Sequence, residues 1–396
     1  MSKNININLV DDMNEAYYPM LTEDARYLLF MGGAGAGKSH AIAQKIIYRC
    51  LSDNIPHRFL ILRKTNRSVA QSCYALLRYW LQHWGIPHKA IRNNIKFLGH
   101  ELIFSGFDDP EKIKSIEGIT SIWLEEATEF SYADFKQLDL RLRGDTGSYK
   151  QIIFSFNPLS KHSWLYKNFY ERETEGAVCG HYLHTDNRFL DLDYTKKLLA
   201  ETDEVYSAIY TRGEWIDTPH AIYADYVIKG FDIKALKERA KKRYYCLDFG
   251  WNDPSVCLEV VEYDQAVYVC GEIFVRHNTN KDFLKLIKKT FRDAERFTFY
   301  ADSAEPDRIY EFNQEGFDCR KANKSIKDGI DEVRSRTVII HESCVNTGNE
   351  ISMYSYKTDK DGVVYDTPID YNNHCMDSLR YGVFTSKSNE GIQLFI

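Results

Sequence analysis

Residues 27–39 read Tyr-Leu-Leu-Phe-Met-Gly-Gly-Ala-Gly-Ala-Gly-Lys-Ser, a short apolar run closing in a Gly-rich turn. From Gly32 through Gly33, Ala34, Gly35, Ala36 and Gly37 to Lys38 and Ser39, the turn fits G-x-x-x-x-G-K-[ST] without departure. Glycines let successive backbone N–H groups turn inward around phosphate oxygens, and a following helix points its positive end at the same phosphates. Lys38 supplies a cation to the β/γ oxygens and Ser39 a hydroxyl to Mg²⁺, so the expectation is a site for ATP with Mg²⁺. Residues 39–50 follow with apolar positions at 42, 46 and 47, a helical spacing. Strand, loop and helix thus stand in the order the motif needs, which a merely structural Gly-rich turn does not require.

Working outward, residues 58–62 and 121–124 and 151–156 are further apolar runs, residues 68–83 read as a helix, and residues 95–98 with 102–104 as a hairpin. This alternation predicts an α/β fold with a parallel-rich sheet covered by helices. The run at 121–124 ends in Glu125 and Glu126. Glu125 is expected on the metal side, through water, and Glu126 at the attacking water; Asp is commoner at the first of these positions. Ser155, Phe156 and Asn157 end the next run, where a polar pair beside the γ-phosphate would report hydrolysis to the rest of the molecule; a plain strand-ending turn reads equally well. Arg63 is the first candidate for the cation on the transferring phosphoryl group, with Arg141 and Arg143 behind it.

The 396 residues carry 51 Lys+Arg against 57 Asp+Glu, a net charge of −6. That length predicts two domains, perhaps a third, and 44% hydrophobic residues exclude a largely disordered chain. No apolar run reaches the roughly 18–20 residues of a membrane span and the start lacks a signal region, so a soluble, intracellular protein is expected. Nine scattered cysteines without a CxxC pair indicate buried thiols, with neither a zinc ribbon nor a disulfide framework. A mildly acidic total says little against nucleic-acid binding, which depends on where the basic residues lie.

The pattern changes after Trp215. Residues 218–242 lose periodicity, contain Pro219 and run into the basic stretch at 234–243, which reads as a linker. Three strand-like runs follow. Asp248 ends the first, Asp302 ends the run at 297–301, and Asp377 lies in a helical stretch three residues after His374, on the same helical face. An isolated Asp at a strand end is usually a cap, so the pattern alone leaves that reading open. Brought together, three carboxylates would repel unless divalent cations neutralised them, which suits a two-metal phosphodiesterase using Mg²⁺ or Mn²⁺. His374 would favour Mn²⁺, and Lys324 would meet a substrate phosphate or solvent.

In order and spacing, MGGAGAGKS, SIWLEEATEF, FSFNP, RGEW, LDFGWNDPS, ADSAEP and NNHCMDSLRYGVF resemble the large terminase subunit of tailed bacteriophages, over nearly the whole chain. The resemblance implies an ASCE-type ATPase motor over 1–217 with a lid near 180–216, the linker, and a ribonuclease-H-like nuclease over 243–396. Matching motifs put nucleotide and Mg²⁺ on Lys38 and Ser39, the acidic metal-side role on Glu125, catalysis of hydrolysis on Glu126 and coupling on Ser155, Phe156 and Asn157. They put the nuclease metals on Asp248, Asp302 and Asp377, with His374 alongside. Implied partners are double-stranded DNA, a small terminase subunit, the portal of the procapsid and further copies of the chain, in the host cytoplasm. The rival readings are a helicase or recombination ATPase whose second half binds DNA without cutting it, and a nucleotide-switched structural component.

Overall fold

The computed structural model describes residues 7–107, 116–144, 147–218, 220–240, 242–358 and 363–388. The chain divides into two compact units, Met1–Ile216 and Asp217–Ile396. Each is built on its own sheet.

Among its described residues the first unit holds eight strands: β1 (Tyr27–Gly32), β2 (Arg58–Arg63), β3 (Lys89–Ile91), β4 (Asn94–Phe97), β5 (His100–Gly106), β6 (Ser121–Glu125), β7 (Gln151–Phe156) and β8 (Ala177–Tyr182). Their order is β3-β4-β5-β2-β6-β7-β1-β8, parallel from β5 to β8 with an antiparallel extension at β3 and β4. Strands buried on both faces divide their residues by alternation. Leu28 and Phe30, Phe59 and Ile61, and Trp123 face one core, under helix α1 (Lys38–Ser52); Leu29, Met31, Leu60, Leu62, Ile122 and Leu124 face the other. The arrangement puts β7 between β1 and β6. Residues 155–157 therefore emerge between the phosphate loop and the Glu125 strand end. Of the expected lid at 180–216, residues 180–182 are the end of β8, an edge strand of this sheet; the remainder forms short helices, including α2 (Leu192–Leu199).

The second unit orders its main strands β14-β13-β10-β11-β12-β15-β9: β9 (Tyr226–Lys229), β10 (Lys242–Asp248), β11 (Ser255–Tyr263), β12 (Ala266–Val275), β13 (Thr298–Ala301), β14 (Asp318–Lys321) and β15 (Val338–His341). A meander of β10, β11 and β12 is extended by parallel strands on both sides. A small hairpin, β16 (Tyr356–Thr358) with β17 (Val364–Pro368), stands apart from that sheet. The linker reading needs correction at 218–242. Residues 226–229 pair in parallel with β15, and 233–239 form helix α3. Pro219 and Lys241 lie outside the described residues. The strand escapes sequence reading because its four residues are largely exposed and its partner lies over a hundred residues away.

Helix α4 (His374–Ser388) packs across β10, and at Gly382 the approach is especially close. A Cβ on Gly382 would overlap the Cys246 Sγ and lie 3.1 Å from both the Cys246 Cβ and the Tyr244 ring. Gly382→Ala gains helix propensity of about 1 kcal/mol but overpacks a filled core, which costs more. Calorimetry should show net destabilisation of about 1–2 kcal/mol; an unchanged midpoint would mean the helix can slide.

Candidate functional sites

At the first site, β1 ends in the phosphate loop and α1 begins at Lys38. Gly35 (φ +72°) and Gly37 (φ +87°) take left-handed conformations that a side chain disfavours. Gly32 and Gly33 serve a different need from the phosphate-cradling one expected of them. The Gly33 amide donates to the Tyr182 carbonyl at 3.0 Å and the Ala34 amide to the Tyr210 carbonyl at 2.7 Å. A Cβ on Gly33 would stand 2.5 Å from the Tyr210 oxygen, and one on Gly32 would overlap that of Tyr182. These glycines thus permit close backbone packing against β8 and the segment before Arg212.

The Lys38 ammonium lies inside the loop, donating to the carbonyls of Gly32 (3.0 Å) and Gly33 (2.7 Å) and to Asn157 Oδ1 (3.2 Å). Burial pulls its pKa down to about 8, against the pull of Glu126 and Glu125 in the other direction. Ser39 Oγ donates to Glu125 Oε1 at 2.7 Å, and Ser155 Oγ to the other carboxylate oxygen. Trp123 Nε1 in turn donates to Ser155 Oγ at 2.8 Å. Burial raises the Glu125 pKa, and repulsion from Glu126 adds to it. Glu126 follows in a left-handed conformation (φ 56°, ψ 56°), turning the chain sharply out of β6. Arg63 ends β2 with a guanidinium nitrogen 3.6 Å from Glu129 and feels Glu126 and Glu125 as well. Arg141 closes the helix Tyr132–Arg141, and Arg143 follows it.

Several partners here carry no local sequence signal. The Tyr17 hydroxyl donates to the Ala36 carbonyl at 2.8 Å, Asn187 Nδ2 to that of Gly35, and Asn14 Nδ2 to Asn187 Oδ1 at 3.1 Å. A cavity of about 410 Å³ opens beside the loop, lined among others by Asn14, Tyr17, His40, Gln44, Trp80 and Phe189. Trp215 of the RGEW stretch packs on Phe156, ring centroids 5.7 Å apart, so the expected coupling segment is braced by the end of the unit.

At the second site, Asp248 ends β10, Asp302 follows β13, and Asp377 lies in the first turn of α4. β10 and β13 are neighbours, and α4 packs across them. Asp248 is buried, and burial raises its pKa; Asp377 and Asp302 push it further up, while His374 opposes them. The buried Tyr381 hydroxyl feels all three carboxylates. The three Asp therefore share one electrostatic neighbourhood, each beside a cationic or titratable side chain. His374 Nδ1 lies 3.0 Å from Asp248 Oδ2, Lys324 Nζ 2.7 Å from Asp302, and Arg380 2.7 Å from Asp377. Burial alone would lower the His374 pKa, but the Asp248 contact holds it above the ordinary value. Among the described residues, no group of three or more His, Cys, Asp or Glu stands drawn together as a metal cluster. The donor chemistry nevertheless suits hard cations: carboxylate oxygens in excess, one of them desolvated. Lys324 pairs with an Asp, where the sequence suggested a phosphate or solvent. The sequence reading also missed Glu350, whose buried carboxylate accepts the Cys375 amide at 2.6 Å and so caps the helix start that carries His374 and Asp377. Its pKa is pushed up to about 8 by burial.

A parallel-rich sheet with a phosphate loop, joined in one chain to a second sheet bearing neighbouring aspartates, defines an ATPase–nuclease. The family model described as phage terminase large subunit matches residues 24–214, and that of the terminase RNase-H-like domain matches residues 254–384. The chain belongs to the phage terminase large-subunit family, and is an ATPase and nuclease of viral DNA packaging. It is 25% identical over 394 residues to the PBSX phage terminase large subunit of Bacillus subtilis (strain 168), covering 90% of each. It is 26% identical over 405 residues to the terminase large subunit of Bacillus phage SPP1, covering 93% of each. The large terminase of a thermophilic bacteriophage shares the fold, with a TM-score of 0.50 at 19% identity over 94% of this chain and 98% of that one. That protein has also been solved in complex with ADP.

Proposed function

We propose that residues 1–216 form the motor, residues 217–396 the nuclease, and that the two act in turn on double-stranded DNA. The adjacency of Ser39 and Glu125 at 2.7 Å, between a buried lysine and a second glutamate, is the observation that carries the motor site. ATP lies with its phosphates on the loop from Gly35 to Ser39, and its base and ribose in the cavity beside Asn14 and Phe189. Lys38 contacts the β/γ oxygens; Ser39 and, through water, Glu125 hold Mg²⁺, which when bound neutralises phosphate charge. Glu126 orients and deprotonates the attacking water. Arg63 stabilises charge on the transferring phosphoryl group, and Glu129 keeps its guanidinium in place. Loss of the γ-phosphate frees Lys38 to return to Asn157, and Ser155, Phe156 and Trp215 carry that change outward.

In the second unit Asp248, Asp302 and Asp377 hold Mn²⁺ or Mg²⁺, with His374 beside them. Such ions supply an activated water and stabilise the leaving oxygen of a phosphodiester. His374, Lys324 and Arg380, beside Asp248, Asp302 and Asp377 in turn, keep the three carboxylates tolerable until the ions enter. Cutting would occur on concatemeric DNA at the start and end of packaging into the procapsid. The proposed partners are a small terminase subunit, the portal and further copies of this chain, in the host cytoplasm. No helix among the described residues is long and apolar enough to cross a membrane.

One preparation of the chain should hydrolyse ATP faster when duplex DNA is added, and should nick plasmid with Mn²⁺. DNA affinity should fall steeply as salt rises. ATP turnover with no nicking at any divalent ion would favour the helicase-like alternative.

A further inference from the structure

Beyond the carboxylates, the loop that follows β10 presents an unusual feature. Trp251 is 51% exposed, three residues after the buried Asp248. The loop beneath it is braced on every side. The Gly250 carbonyl accepts from Ser255 Oγ at 2.8 Å and from Arg308 at 3.4 Å, and its amide donates back to Ser255 Oγ at 3.2 Å. A Cβ at Gly250 would lie 2.7 Å from the Pro254 oxygen, so the turn closes only with glycine. The Trp251 carbonyl accepts the His277 amide at 2.9 Å, and Arg276 reaches the Asn252 carbonyl at 3.4 Å. To make this contact His277 takes a left-handed backbone (φ 55°), its ring edge-on to the indole at 5.9 Å. Large apolar side chains exposed singly are common on protein surfaces, so what sets Trp251 apart is the stiffness of its loop and its place three residues from Asp248.

The loop adjoins the carboxylate site where the DNA strand is cut, and two arginines touch it: Arg276 at the Asn252 carbonyl and Arg308, itself paired with Glu305, at the Gly250 carbonyl. Three residues of chain span at most about 10 Å, or roughly three base steps of duplex. We propose that Trp251 wedges against a base of the strand being cut, at a base step partly unstacked within a few nucleotides of the scissile phosphate, and so fixes the DNA against the Asp248 site. This inference rests on the nuclease reading of the second unit and adds to it the residue that holds the substrate by a base face. Stacking tolerates any base, so it positions DNA without selecting sequence.

The test is Mn²⁺-dependent plasmid nicking by the full chain, with KM and kcat measured separately over a range of salt. Trp251→Ala should raise KM more than fivefold, on the order of 10- to 100-fold, with kcat within about threefold of wild type. Trp251→Phe, which keeps a stacking face, should stay within about threefold in KM. The slope of log KM against log salt should be the same in all three, because phosphate contacts are untouched. A KM for Trp251→Ala less than fivefold above wild type, a Phe variant as weak as the Ala variant, or an altered salt slope overturns the stacking role. The underlying reading fails separately: wild-type chain that nicks nothing, or Asp248→Ala that still nicks, removes the nuclease site whatever Trp251 does.

Discussion

Glu126→Gln is expected to lower kcat for ATP hydrolysis by about 10³-fold while leaving ATP affinity within about threefold. The two neighbouring glutamates differ in what they are free to do. Both Glu125 oxygens are engaged, one by Ser39 and the other by Ser155, inside a buried pocket. That carboxylate is committed to the cation side. Glu126 is half-buried, and its left-handed backbone swings it out of the strand line. An acceptor so placed suits a water attacking the γ-phosphate. Removing a positioned general base costs typically 10²–10⁴-fold in rate, whereas an amide of the same shape keeps the site filled and nucleotide contacts intact. Turnover should be followed by phosphate release and affinity by a fluorescent ATP analogue. Unaltered turnover would take Glu126 out of the chemistry, whereas wild-type chain that binds ATP without turning it over would make a nucleotide-switched structural component the better account.

Asp248→Asn should abolish plasmid nicking, by at least about 10³-fold, and leave ATP turnover as in wild type. Its effect on stability runs in the opposite direction to most core substitutions. The Asp248 carboxyl is desolvated and pushed up by Asp377 and Asp302, so an uncharged isostere relieves repulsion that only His374 offsets. Without divalent ions the variant should melt no lower than wild type. With Mn²⁺ the wild type should gain stability in proportion to RT ln(1 + [Mn²⁺]/Kd), and the variant should gain far less. Thermal scans with and without Mn²⁺, alongside gel-based nicking, separate a lost metal site from a lost fold. A variant that nicks normally would remove Asp248 from the chemistry.

The motor site is legible because its chemistry is local. A thirteen-residue stretch carries strand, loop, cation and hydroxyl together, and β6 and β7 announce themselves as continuous apolar runs, the first ending in Glu125 and the second followed by Asn157. What sequence does not carry is which distant group answers each of these. Tyr17 and Asn187 reach the loop carbonyls from far along the chain in either direction. Gly32 and Gly33 look like phosphate cradles but answer to Tyr182 and Tyr210. In the second unit the three aspartates are readable individually as strand-end and helix residues. Their gathering depends on β13 pairing beside β10 and on Gly382 letting α4 approach, neither of which has a local pattern. Helical spacing puts His374 and Asp377 on one face, yet His374 meets Asp248 while Asp377 meets Arg380. The stretch at 218–242 misleads for a related reason: β9 is polar-flanked and exposed, and only its partner β15 makes it a strand.

The most direct measurement is anomalous diffraction at the manganese edge from crystals of the full chain grown with Mn²⁺. Ion peaks lying between Asp248 and the Asp302 and Asp377 carboxylates, and absent from Asp248→Asn crystals grown alike, are the result this account predicts. Well-ordered carboxylates still paired with Lys324 and Arg380, with manganese bound elsewhere or nowhere in the second unit, would contradict it.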